Sequence, residues 1–236
     1  MDEDPSARGL TGDSHPSQRV LVLAKSPRPP ATPAADSKQV RSLLRSADRP
    51  SQSMDYLLKG DPLDLVQRSC AVLRTEARVL DPLRMHRCAA ARVAFRGAAW
   101  KGQPPLDLWL ARCIREAVRD CLAQDEEEER LGQIVEEGNA HKYAVMTELL
   151  GCSIDSARIA MLTFNRLPAA ERHVAFSVLV LGRELKTIQL PQTVRDSGNR
   201  PVSDLFAEAI TRISAARPGK IPPPSPDEYD LSSANE

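Results

Sequence analysis

Residues 106–120 read LDLWLARCIREAVRD, and residues 167–172 read LPAAER. In the first stretch Leu106, Trp109, Leu110, Cys113, Ile114, Ala117 and Val118 recur three and four apart, and Cys121 and Leu122 continue the pattern. That is the spacing of one broad apolar helical face. Arg112, Arg115 and Arg119 fall at i, i+3 and i+7 on the other side and share a polar face. The second stretch is a helix stop and restart, because proline breaks a helix interior yet suits its first turn.

Working outward from residue 106, the signals stay helical. Asp61-Pro62-Leu63 and Asp81-Pro82-Leu83 each set an N-cap acid before a proline. Leu65, Val66, Cys70, Leu73, Ala77 and Leu80 follow the first at helical spacing, which predicts a helix to about Leu80. Leu83, His86, Ala90 and Val93 follow the second and end near Gly97, and a loop from Gly97 to Pro105 leads into the Trp109 helix. Trp109 lies on the apolar stripe, so it reads as core rather than as a platform for stacked bases.

Asp125 to Glu129 is a run of five acids. It reads as a solvated helix end or linker. A helix is expected over Leu131–Leu150, with a break at Gly138-Asn139, and Gly151-Cys152-Ser153 supplies a stop and a new N-cap. The next helix carries Ile154, Ala157, Met161, Phe164 and Leu167. Pro168 starts another, which ends near Gly182 in the manner of a left-handed cap. Pro191 to Ser197 reads as a short helix closed by Gly198. Ser203 to Ala215 is the last helix, with Val202, Leu205, Phe206, Ala209, Ile210 and Ile213 facing inward.

The expected architecture is all-α, with two small helical domains between disordered termini. Residues 1–52 and 217–236 are rich in Pro, Ser and charge and read as disordered. Residues 53–123 form the first domain, 124–152 an acidic linker and helix, and 153–216 a second domain of helix-turn-helix layout. The chain is neutral overall, but residues 54–122 carry 12 Lys and Arg against 8 Asp and Glu. Residues 125–216 carry 10 against 14, so phosphate attraction favours the first half.

Several function classes fit poorly. No run of eighteen apolar residues exists, and the polar start is not a signal peptide, so a cytoplasmic protein without a membrane partner is expected. The four histidines sit in no metalloprotease-like motif, and neither a Gly-rich phosphate loop nor a Gly-x-Ser-x-Gly elbow occurs. The expectation is a non-enzyme without cofactor or metal. The five cysteines, odd in number and without a Cys-x-x-Cys pair, read as small core hydrophobes.

In order and spacing, residues 54–122 and 153–216 resemble regions 2 and 4 of the bacterial extracytoplasmic-function sigma factors. Trp109, Leu110 and Asp120 match the family's region 2 helix, while Cys113, Ile114 and Glu116 depart from it. Gly60-Asp61 resembles its opening. Leu167-Pro168 with Arg172 matches the region 4 pattern, with Gly198 and Val202 near the turn and the start of the recognition helix. The resemblance implies binding to RNA polymerase core and promoter −10 DNA, possible control by a regulatory protein, and DNA contacts from Arg96, Lys101, Arg112, Arg115, Arg119, Arg200 and Arg212. Two segments depart from it. Residues 85–95 are basic and apolar where the family is acidic, and Asp204 and Glu208 stand where a basic recognition helix is expected. A second expectation, of another class, is a sigma-derived protein-interaction module in which the acidic half docks on the basic half.

Overall fold

The computed structural model describes residues 40, 42, 44, 50–132, 141–192, 194 and 200–216. Among these the secondary structure is helical, without a strand. The eight α-helices of defined extent are α1 Pro50–Gly60, α2 Leu65–Thr75, α3 Pro82–Gly97, α4 Leu106–Arg130, α5 Ala144–Leu150, α6 Ile154–Asn165, α7 Ala169–Leu179 and α8 Val202–Ala215. A 3-10 turn, Leu185–Thr187, lies between α7 and α8.

Local chemistry sets most of these ends. The Asp81 side chain accepts from the Arg84 N–H at 2.9 Å, with Pro82 opening α3. Ser153 Oγ accepts from the Ser156 N–H, and Gly151 leaves α5 in the left-handed region at φ 60°. Gly182, at φ 63°, closes the α7 turn as expected of an αL cap. Arg172 folds back from α7 and donates to the Leu167 carbonyl at 2.7 Å. The spacing of Leu167-Pro168 and Arg172 thus has a local structural reason.

Four expectations are corrected. Helix α2 starts at Leu65, although Asp61 still caps it through bonds to the Leu65 and Val66 N–H groups. It stops at Thr75 rather than Leu80, because Ala77 turns into the left-handed region at φ 51°. The released Val79 then bonds Asn165 through both its N–H and its carbonyl. Of the two readings of residues 125–129 the helix end holds and the linker does not: they are the last turns of α4, but Asp125 and Glu129 are buried rather than solvated. Leu131-Gly132 is a turn rather than a helix start, and the expected break at Gly138-Asn139 lies outside the described residues. Finally, Val40 and Leu44, from a segment expected to be disordered, are buried in the core. The Pro- and charge-rich flanks obscured that i, i+4 pair.

Helices α3 and α4 run side by side as the central pair, and α1 and α2 pack on α3. Helix α8 lies on α7 and α6, and α6 also reaches α4. One buried cluster runs from Val40 through Leu110, Ile114 and Phe164 to Ile213, so the two halves share apolar contacts. A smaller cluster, Ala170, Val174, Ile188, Val194 and Leu205, holds α8 against α7.

The acidic end of α4 pins the second half to the first. Arg84 Nη1 donates to Asp125 Oδ1 at 2.5 Å, and its Nη2 reaches the Cys121 carbonyl at 3.2 Å. Arg166 meets Glu126 at 2.9 Å, Lys142 meets Glu128 at 2.9 Å and Arg158 meets Glu129 at 2.8 Å. Glu127, the exposed member, pairs with Arg130 on its own helix.

Removing one partner of a buried pair leaves an uncompensated charge. Arg84→Met should therefore lower stability by about 3–5 kcal/mol in urea denaturation. Adding Asp125→Leu should restore most of it, and additive losses would show that the pair does not act as a unit. At Gly97 an added Cβ would lie 2.9 Å from Leu44 Cβ and Cδ1. Gly97→Ala should cost about 1–3 kcal/mol by overpacking, less when Leu44→Ala is also present. An unchanged urea midpoint would remove Leu44 from this contact.

Candidate nucleic acid interface

The seven arginines and lysines singled out in the sequence fall into two sets with different surroundings. Arg96 is near the end of α3, Lys101 is exposed in the loop after it, and Arg112, Arg115 and Arg119 are exposed on α4. Arg200 lies just before α8, and Arg212 is in its last turn.

In the first set, Arg96 Nη1 meets Glu116 Oε1 at 2.8 Å, and Arg112 Nε approaches the same oxygen at 3.5 Å. Arg92 pairs with Asp120, so two ion pairs stitch α3 to α4 along their outer seam. Arg115 Nε lies 3.4 Å from Glu76 Oε1 at the end of α2. Burial pushes the Glu76 carboxyl above its ordinary range, while Arg78, Arg115, Arg172 and Arg119 all pull it down. The fold thus gathers Arg115 and Arg119 with two arginines the sequence reading did not assign to a site. Arg172 had a signal in the resemblance; Arg78 had none.

This face carries Arg92, Arg96, Lys101, Arg112, Arg115 and Arg119 against Glu76, Glu116 and Asp120, so it is net basic. The Arg112 and Arg115 side chains remain 68% and 54% exposed. Exposed charges of this kind are solvent-screened and contribute roughly 0–1 kcal/mol each, although the acids they meet are less open, at 14% for Glu116 and 32% for Glu76. An incoming phosphate can therefore draw Arg112 outward while Arg96 remains on Glu116.

The second set is different. Arg212 Nε meets Glu171 Oε2 at 3.3 Å, and Arg200 Nη1 lies 3.9 Å from Glu171 Oε1 while Nη2 pairs with Glu208. The Glu171 side chain is only 3% exposed. Its carboxyl is pushed up by burial and drawn down by Arg212 and Arg200. Drawing these arginines to DNA would strip a buried carboxylate of its counter-charges, at about 3–5 kcal/mol. The structure brings Arg200 and Arg212 together, but around an internal acid.

Trp109 is buried and stacks on Trp100, with ring centroids 5.0 Å apart and planes 17° from parallel. Trp100 Nε1 donates to the Pro104 carbonyl at 3.0 Å, which anchors the loop carrying Lys101. Among the described residues no group of three or more His, Cys, Asp or Glu is placed to hold a metal, and no helix is long and apolar enough to cross a membrane. Compared with protein-family models, with curated proteins and with solved structures, the chain matches none.

His173, beside Arg172 on α7, is lowered to about 4 by burial and then by Arg172 and Arg78. Its folded value lies below its unfolded one, so its contribution is present above about pH 6.5 and fades as pH falls toward 4. Glu76, Asp125 and Glu171 shift upward and act in the opposite sense. His173→Asn should therefore narrow the stability loss between pH 7 and pH 4.5 by about 1–2 kcal/mol, after allowance for partial exposure. Parallel wild-type and variant curves in urea titrations at the two pH values would refute the assignment.

Proposed function

We propose that this chain is a divergent sigma-like factor in transcription initiation or its regulation, with RNA polymerase core and opened −10 DNA as partners. Contact with nucleic acid is confined to the outer face of α4 and the adjoining part of α3. The observation supporting this reading is the contrast between the two arginine sets. Arg112, Arg115 and Arg119 are exposed and weakly held, whereas Arg200 and Arg212 neutralise buried Glu171. A single strand laid along α4 would meet cations at each helical turn, with the loop Lys101 at one end. The helix α8, which carries Asp204 and Glu208, then serves as a brace rather than a reader of base edges. The reaction chemistry belongs to the polymerase, and the chain contributes binding alone.

A second reading, a protein-interaction module without DNA binding, is favoured by one observation. Phe95 and Leu108 are 73% and 64% exposed. Phe95 adjoins Arg96, and Leu108 lies one turn before Arg112, the two arginines that share Glu116. Large apolar groups beside cations suit an acidic amphipathic helix.

Binding of a fluorescent A·T-rich single strand across a salt series separates these readings. Wild-type protein should bind, and Arg112→Ala, Arg115→Ala and Arg119→Ala together should weaken binding and reduce the log–log salt slope by about 2. Arg200→Ala with Arg212→Ala should leave that slope unchanged while lowering the urea midpoint. An unaltered slope in the triple variant sinks the α4 assignment. Absence of any strand binding, with capture of acidic helical peptides lost in Phe95→Glu, would establish the second reading.

A further inference from the structure

All five cysteines are thiols, and two of them face each other across the central helix pair. Cys88 is half-buried on α3, and Cys121 is buried on α4. The two thiols are close enough to perturb each other, Cys88 downward and Cys121 upward. The helix register shows independently why they meet. Arg84, one turn before Cys88, reaches both the Cys121 carbonyl and Asp125, one turn after Cys121. In an antiparallel pair this places residue 88 opposite residue 121.

We infer that Cys88 and Cys121 form a peroxide-responsive thiol pair that closes to a disulfide between α3 and α4. Cys88 is the attacking sulfur because it is the more accessible of the two. The neighbouring Cys121 thiol lowers the Cys88 thiol below its ordinary range against the opposing effect of burial, and Arg84 and Lys142 add to the lowering while Asp125 resists it. Its thiolate is therefore favoured, whereas burial raises Cys113 to about 11. The thiolate is the reactive form.

The Cys88 thiolate attacks one oxygen of a hydroperoxide, and the O–O bond breaks. Cys88 becomes a sulfenic acid, and the departing hydroxide or alkoxide takes up the proton that Cys88 released. The Cys121 sulfur then attacks the Cys88 sulfur and the S–O bond breaks. The leaving hydroxide combines with the Cys121 proton as water. One peroxide is reduced by two electrons, one from each sulfur, and the S–S bond forms. This is the ordinary route from sulfenic acid to disulfide when a resolving thiol is near. The product ties the two helices one turn from the Arg84–Asp125 pair and beneath the seam formed by Arg92 and Asp120.

Trypsin makes the test direct, since cleavage leaves Cys88 in residues 88–92 and Cys121 in residues 120–130. The full chain is treated with hydrogen peroxide at about one equivalent, alkylated and digested without reductant. The expected product is the cross-linked pair of these peptides, lost on addition of a reductant. In Cys121→Ser the oxidation should stop at a Cys88 sulfenic acid that dimedone captures. In Cys88→Ser, Cys121 should remain a thiol. Cys88 should also react with iodoacetamide at least about tenfold faster than Cys113 in the folded protein, being both more accessible and more readily ionised. Cross-links between chains, a linked peptide involving another cysteine, or an unmodified Cys88 in protein of native circular dichroism would overturn the proposal.

Discussion

The buried pair of Arg84 and Asp125 is the constraint on which the arrangement of the halves depends. Five consecutive acids would repel one another in an extended linker. Wound into a helix, each successive side chain turns by about 100° and faces a different neighbour. Asp125 faces α3, Glu129 faces Arg158 on α6, Glu126 faces Arg166 just after α6, Glu128 faces Lys142, and Glu127 faces solvent. Asp125 is fully buried, so its desolvation must be offset by Arg84, and Arg84 is itself fixed by the Cys121 carbonyl and Gln124. The acidic stretch is thereby a hub that reads the positions of several elements at once.

Most helices were legible because their determinants are local. The apolar stripe from Leu106 to Leu122, the Asp81-Pro82 start, the Ser153 cap and the Pro168 restart each follow from residues a few positions apart. What was not legible depends on long-range partners. The tail of α2 has good helical spacing, yet Val79 is held extended by Asn165, 86 residues away. Val40 and Leu44 are an unremarkable pair until Gly97 provides the space that Leu44 fills. The burial of the acidic run could be recognised only by knowing which cations surround it.

The candidate interface divides in the same way. The common face of Arg112, Arg115 and Arg119 follows from helical periodicity alone. Their weak attachment, and the firm attachment of Arg200 and Arg212, do not. The near-complete burial of Glu171 decides that difference, and it arises from the packing of α8 against α7. Charge counting assigned the two halves opposite signs, but it could not show that Arg84 and Asp125 meet inside the molecule while Glu126, Glu128 and Glu129 pair with cations of their own half.

Asn165 extends this point to how such a protein can change over time. Its amide both donates to and accepts from the main chain of Val79, a two-pronged match that aspartate and leucine each lack. Together with the ion pairs of α4, it makes the halves a lock and its own key. Segments that resemble separable units in sequence would then be poor candidates for exchange with counterparts from other chains. Recombination that preserved each half intact would still lose the fit between them, so inheritance of the two halves is expected to be joint.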